Sequence, residues 1–228
     1  MFRIQLPRLY ELRDLIADRT SPDAYFHDFE TLLQDDLARA VFIRWEEKLQ
    51  LLDAHAWKAL KDEASQYLIR RDPRRSHQQL FDILGQADGY QHLRNIGCST
   101  VRFIPRSDKE GLRTPDLEGF IDSQRILCEV KTINISDDEI RARCEHTARV
   151  IESQLDEGFF RKLRFDVTEA SDQTHRHDAA GNGRHLVYVN ICFDDWAHYF
   201  THAYLRQIEQ YLKDNPVPEV EVVCTGSR

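Results

Sequence analysis

Apolar residues in the first 75 positions recur at threes and fours, as in Leu9, Leu12 and Ile16 or Trp57, Leu60, Ala64 and Leu68. That is the spacing of one buried helix face. Start signals agree: Ser21-Pro22-Asp23 reads as a cap followed by proline in the first turn, and Asp53 can cap the Trp57 helix. Pro73 ends the series. Three or four helices are expected over 1–75, as an N-terminal extension or subdomain without recognisable chemistry. A further helix is predicted from about Ser76 to Asn95. Leu80, Ile83, Leu84, Ala87, Tyr90 and Leu93 form its stripe, Asp82 and Gln86 stand at the stripe's edge, and Gly97 is its stop.

From there the period changes. STVRFIP (99–105) is β-rich, and two more strands are expected near 116–122 and 125–133, joined at Asp122-Ser123-Gln124. A helix should restart at Ser136, where SDDE fits a capping box, with Ile140, Cys144, Ala148, Ile151 and Leu155 as its buried face. SDQTHRHDAAGNGR (171–184) has little periodicity and reads as a loop; HLVYVNICF (185–193) is the most β-like run in the chain. A helix over about 195–213 and a last strand in EVEVVC complete the order. Helix, three strands, helix, strand, helix, strand predicts an α/β class: a small mixed sheet with helices on both faces. The expected domains are therefore 1–75 and 76–228.

Composition narrows the setting. No segment approaches the ~20 apolar residues of a membrane span, and the N-terminus has no apolar run of signal-peptide length, so a cytoplasmic protein with no membrane partner is expected. The five cysteines are odd in number, widely spaced and without a CxxC pair, which suits reduced, packed thiols. The net charge of −8 opposes general polyanion binding but does not fix the field at one cleft. Basic residues cluster locally, in RRDPRR (70–75) and in Arg102, Arg106, Lys109 and Arg113. The last four lead into the stretch TPDLEGFIDSQRILCEVKT, 114–132.

In that stretch Glu129 and Lys131 share a strand face with Leu127 and Ile133, while Ile126, Cys128 and Val130 form the other. A strand apolar on both sides is buried, and buried charges need partners. A tight turn would set Asp116 beside Glu129. Two carboxylates so close call for a shared proton or a divalent cation. Carboxylates, a main-chain carbonyl, waters and a substrate phosphate make the all-oxygen shell that Mg²⁺ prefers, and Lys131 would then stand beside the reacting phosphate.

Pro115-Asp116 at the start of one strand and Glu129-Val130-Lys131 on the next resemble the PD-(D/E)XK nuclease superfamily over about Ser76–Phe193. The resemblance implies a restriction-endonuclease-like core and hydrolysis of phosphodiesters in nucleic acid, DNA first. It implies Mg²⁺, with Mn²⁺ as a substitute, held by Asp116, Glu129 and the carbonyl of Val130, and Lys131 as the catalytic lysine. Family members often carry an acid on the first core helix; here Gln86 is the best-placed residue, a weaker ligand. Arg102, Arg106, Lys109 and Arg113 would contact phosphates. Members that cut both strands act as dimers, so a homodimer is also an expectation.

The rival reading is a catalytically weakened nuclease-like module that binds nucleic acid or a protein partner. Glu118 reads as a solvated acid rather than an extra metal ligand. His175, Arg176, His177, Asp178 and His185 read as a surface loop rather than a metal site. Trp196, Tyr199, Phe200, Tyr204 and Tyr211, at helical spacing, read as core rather than a base-stacking platform.

Overall fold

A computed structural model describes residues 2–73, 75–107, 113–133, 153–178, 181–192 and 200–227. The chain divides into two compact units, Met1–Asn95 and Ile96–Arg228.

The first unit is helical: α1 (Phe2–Gln5), α2 (Pro7–Asp14), α3 (Phe29–Leu32), α4 (Asp36–Gln50), α5 (Ala54–Ala64), a 3-10 turn (Ser65–Tyr67) and α6 (Gln78–Asn95). Asp35 and Asp53 cap α4 and α5, each accepting a main-chain N–H at 2.8 Å. Ser21-Pro22 opens a series of turns rather than a helix. There the Tyr25 N–H bonds the Leu68 carbonyl at 2.9 Å, and Ala24, Phe26 and Phe29 are buried, so tertiary contacts override the local start signal. α2 has no side-chain cap of its own. Buried Glu46 of α4 supplies one, accepting the N–H groups of Arg8 (3.1 Å) and Leu9 (3.0 Å).

α6, expected to open the second domain, groups with the first unit. Lys48 of α4 pairs with Asp88 at 2.9 Å, and the Tyr90 hydroxyl donates to Asp53, the cap of α5, at 3.1 Å. Polar ties and the buried stripe of Leu80, Leu84 and Leu93 hold it to the other helices. It ends before Gly97, whose φ of +99° suits a glycine stop.

The second unit is an α/β unit built on a five-stranded sheet in the order β1-β2-β3-β4-β5. Its strands are β1 (Thr100–Phe103), β2 (Leu117–Ile121), β3 (Gln124–Ile133), β4 (Arg184–Cys192) and β5 (Glu221–Ser227). β1, β2 and β3 form an antiparallel meander; β3, β4 and β5 are parallel. The meander turns at Asp122, which has a positive φ of 53° that aspartate tolerates. Parallel pairs need crossovers, and α7 (Glu157–His177) and α8 (Thr201–Asp214) lie in the β3–β4 and β4–β5 connections. Both helices pack on the sheet face of Ile133, Val187, Val189 and Ile191, with Leu163, Val167, Ala170 and Ile208.

α7 overturns the loop expected over 171–184 as far as His177; Asp178 and residues 181–183 are irregular. Asp156 caps its start, accepting the Phe159 N–H at 2.7 Å. Its buried stripe, Leu163, Val167, Ala170, Ser171 and Thr174, keeps helical spacing, but its last members are hydroxyl residues. They are buried because they are bonded: the Thr174 hydroxyl donates to the Ser171 carbonyl at 2.9 Å. The helix expected from Ser136, along with Trp196 and Tyr199, falls largely or wholly outside the described residues. Of the other aromatics, Tyr204 is buried and Tyr211 packs on the core, stacked with Phe160 at 4.6 Å. Cys98, Cys128, Cys192 and Cys224 are free thiols. No helix among the described residues is long and apolar enough to cross a membrane.

Candidate active site

The site begins with register. Leu117–Cys128 is the last rung of the β2–β3 ladder on this side, so Asp116, just before β2, comes beside Glu129, just after Cys128. The Val130 N–H donates to Asp116 Oδ2 at 2.8 Å. A residue's N–H and C=O leave a strand on the same side, so the Val130 carbonyl also faces β2's end. Pro115 has no N–H and cannot supply the ladder bond to that carbonyl. Two carboxylates and a main-chain carbonyl thus converge where the β2–β3 ladder stops.

Glu129 is 4% exposed and has a different donor on each oxygen. Lys131 Nζ donates to Oε1 at 2.9 Å and Gln173 Nε2 to Oε2 at 2.8 Å. Burial raises the pKa of Glu129 above the usual carboxylate range, opposed by the adjacent Lys131. Burial alone would lower Lys131, but the charge and hydrogen bond of Glu129 outweigh it and raise its pKa, with help from Asp116 and Glu169. The lysine is therefore a firmly charged ammonium held against the carboxylate.

Gln173 lies on α7, in the stretch whose sequence predicts a loop. Its amide also donates to the Thr114 carbonyl at 2.6 Å, tying α7 to the segment that leads into Pro115-Asp116. The readable signal was its place one residue before Thr174 on a stripe that polar residues continue. Gln86 is buried on α6, in the first unit, whereas Asp116, Glu129 and Lys131 belong to the second. Asp82, also on α6, accepts from Gln78 at 2.6 Å.

Glu118 is neither a solvated acid nor a neighbour of the carboxylate pair by contact. It is buried, with Arg102 Nε on Oε1 and Arg125 Nε on Oε2, the latter at 2.8 Å. Burial alone would raise its pKa; the two arginines outweigh that and lower it. Arg113 pairs with Glu169, Arg106 is exposed, and Lys109 lies outside the described residues.

The histidine cluster is not a surface loop. His175 and His177 close α7, and Asp178 and His185 are buried, with His185 Nε2 3.1 Å from Asp178 Oδ2. Asp178 also accepts the Gly183 N–H at 2.7 Å, and a Cβ at Gly183 would stand 2.9 Å from that carboxylate. These bonds close the turn into β4 and hold Asp178 below the usual carboxylate range. Among the described residues no group of three or more His, Cys, Asp or Glu side chains is placed to hold a metal ion. No family model, curated protein or solved structure matches the chain.

Proposed function

We propose that the chain is a metal-dependent phosphodiesterase acting on nucleic acid, DNA first, on a restriction-endonuclease-like core. The observation that carries this reading is Asp116 beside Glu129 at the end of the β2–β3 ladder, with Lys131 on the same strand face and a Pro115 that has no N–H to give the Val130 carbonyl. All the donors are hard oxygens, the set that suits Mg²⁺ or Mn²⁺ when waters and a phosphate fill the remaining positions. Asp116, Glu129 and the Val130 carbonyl would hold the cation, which when bound would supply charge neutralisation and an activated water.

The chain's own groups divide the rest of the work. Lys131 places a fixed positive charge where negative charge grows on the phosphoryl oxygens, an interaction that strengthens toward the transition state. Gln173 holds the Glu129 carboxylate in orientation. Asp116 is oriented by the Val130 N–H, beside Glu129.

One observation favours a second reading, a nuclease-like module that binds without cutting. Both oxygens of Glu129 already have protein donors, so a cation must compete with Lys131 or Gln173. Incubation with linear, supercoiled, single-stranded and branched DNA, and with RNA, in Mg²⁺ or Mn²⁺ separates the two. Cleavage lost in Asp116→Ala and Lys131→Ala is the expected outcome. Folded protein that cuts none of these substrates overturns the nuclease in favour of the module.

A further inference from the structure

The sheet face that carries Asp116 and Glu129 carries a second charge cluster one step along the strands. Arg102 on β1 pairs in register with Glu118 on β2, which pairs with Leu127 on β3; Arg125 lies two residues before Leu127 on the same face. Three adjacent strands thus bring two guanidiniums onto one carboxylate. Glu118 is 6% exposed, while the side chains of Arg102 and Arg125 are 58% and 34% exposed.

One arginine is enough to neutralise a buried glutamate. The second sets two like charges beside each other, with Asp178 also within electrostatic reach of Arg125, and an anion taken between the two guanidiniums would relieve their repulsion. Among the described residues each arginine is anchored through Nε. A guanidinium has five N–H donors, so the forked Nη groups of both remain to take an acceptor, and their geometry matches phosphate. Glu118 is two residues from Asp116, roughly 7 Å along an extended strand, close to the separation of neighbouring phosphates in one nucleic-acid strand.

We propose that Arg102 and Arg125, fixed by Glu118, form a cradle for a backbone phosphate adjacent to the phosphodiester at Asp116 and Glu129. The proposal rests on the reading of the chain as a nucleic-acid enzyme or module and names how the substrate strand is held. Arg102 and Arg125 are the binding residues. Glu118 acts through them as a positioning residue.

The test is binding in EDTA, where no metal-dependent cleavage intervenes. Anisotropy of a short fluorescein-labelled DNA, single-stranded and duplex, is read across a salt series. Arg102→Ala and Arg125→Ala should each weaken binding by about threefold to tenfold. Each should also flatten the slope of log Kd against log salt by about 0.7 on the single strand, the loss of one phosphate contact. Glu118→Gln separates a built cradle from simple charge: it adds one positive charge, so charge counting predicts tighter binding, whereas the cradle predicts weaker binding. Arg125→Lys should recover only part of the Arg125→Ala loss.

Truncation of exposed Arg102 leaves Arg125 paired with Glu118 and should preserve the fold, so the test survives a Glu118 variant that fails to fold. Unchanged affinity and slope in folded Arg102→Ala and Arg125→Ala, tighter binding by Glu118→Gln, or a parent protein that binds neither DNA would each overturn the cradle. Failure of the nuclease reading is seen separately, as absence of cleavage in Mg²⁺ by a protein whose arginine-dependent binding is intact.

Discussion

Glu129 is a buried carboxylate, 4% exposed, that takes a donor on each oxygen. Removing either donor leaves charge uncompensated in a low dielectric. Gln173→Ala should therefore destabilise the protein by about 1–3 kcal/mol, read as a lower denaturant midpoint with an unchanged slope. Lys131→Met should cost more, on the order of 3 kcal/mol, because it strands a buried charge. Adding Glu129→Gln to Lys131→Met should restore most of that loss, since the charge that needed the lysine is gone. Recovery in the double variant, without return of the cleavage proposed above, would separate the stability role of the pair from its proposed chemistry. Asp116, Glu129 and Lys131 were readable from the motif and from strand alternation. Gln173 was not, because a lone glutamine in a polar run carries no local sign of the buried carboxylate that gives it a role.

At the scale of elements, α7 is where sequence and structure part. Period-based reading weights apolar residues, and the stripe runs from Leu163 and Val167 into Ser171 and Thr174, which are buried because hydrogen bonds satisfy them. Leu163, fully buried, should cost about 2–5 kcal/mol on truncation to alanine. Phe165, two residues on and 66% exposed, should cost less than about 0.5 kcal/mol. Thermal denaturation of the two variants checks which face of α7 is packed; equal losses would contradict the stripe. β2, β3 and β4 were legible because their signal is strong in each strand alone: β-branched and apolar runs bounded by turn residues. Their pairing required knowing which edges meet.

For the whole molecule, several carboxylates in both units sit below their ordinary pKa. Asp53 is lowered first by the Ala56 N–H, with Tyr90 assisting; Asp178 is lowered first by the Gly183 N–H, then by His185; Asp14 is lowered by Arg3. A carboxylate depressed in the folded state stabilises the protein fully above its unfolded value, 3.8 for aspartate, and loses that contribution as pH falls through the lower folded value. The melting temperature should hold from neutrality to about pH 5 and fall steeply below about pH 4. Scanning calorimetry across that range checks it, and Asp53→Asn should shrink the acid-side drop.

Sequence by itself determined the β-strands and most of the capped helices, because period, caps and turn residues act within a few neighbours. It also set the charge alternation that places Glu129 and Lys131 on one face of β3, since a strand's period of two fixes which side chains share a side. Tertiary structure alone decided three things. The end of the β2–β3 ladder sets Asp116 beside Glu129; α7 delivers Gln173 to that carboxylate; and three strands converge Arg102, Glu118 and Arg125. Each depends on residues far apart in the chain meeting in space, and the free energy of those meetings, satisfying buried polar groups against desolvation, is absent from any single segment.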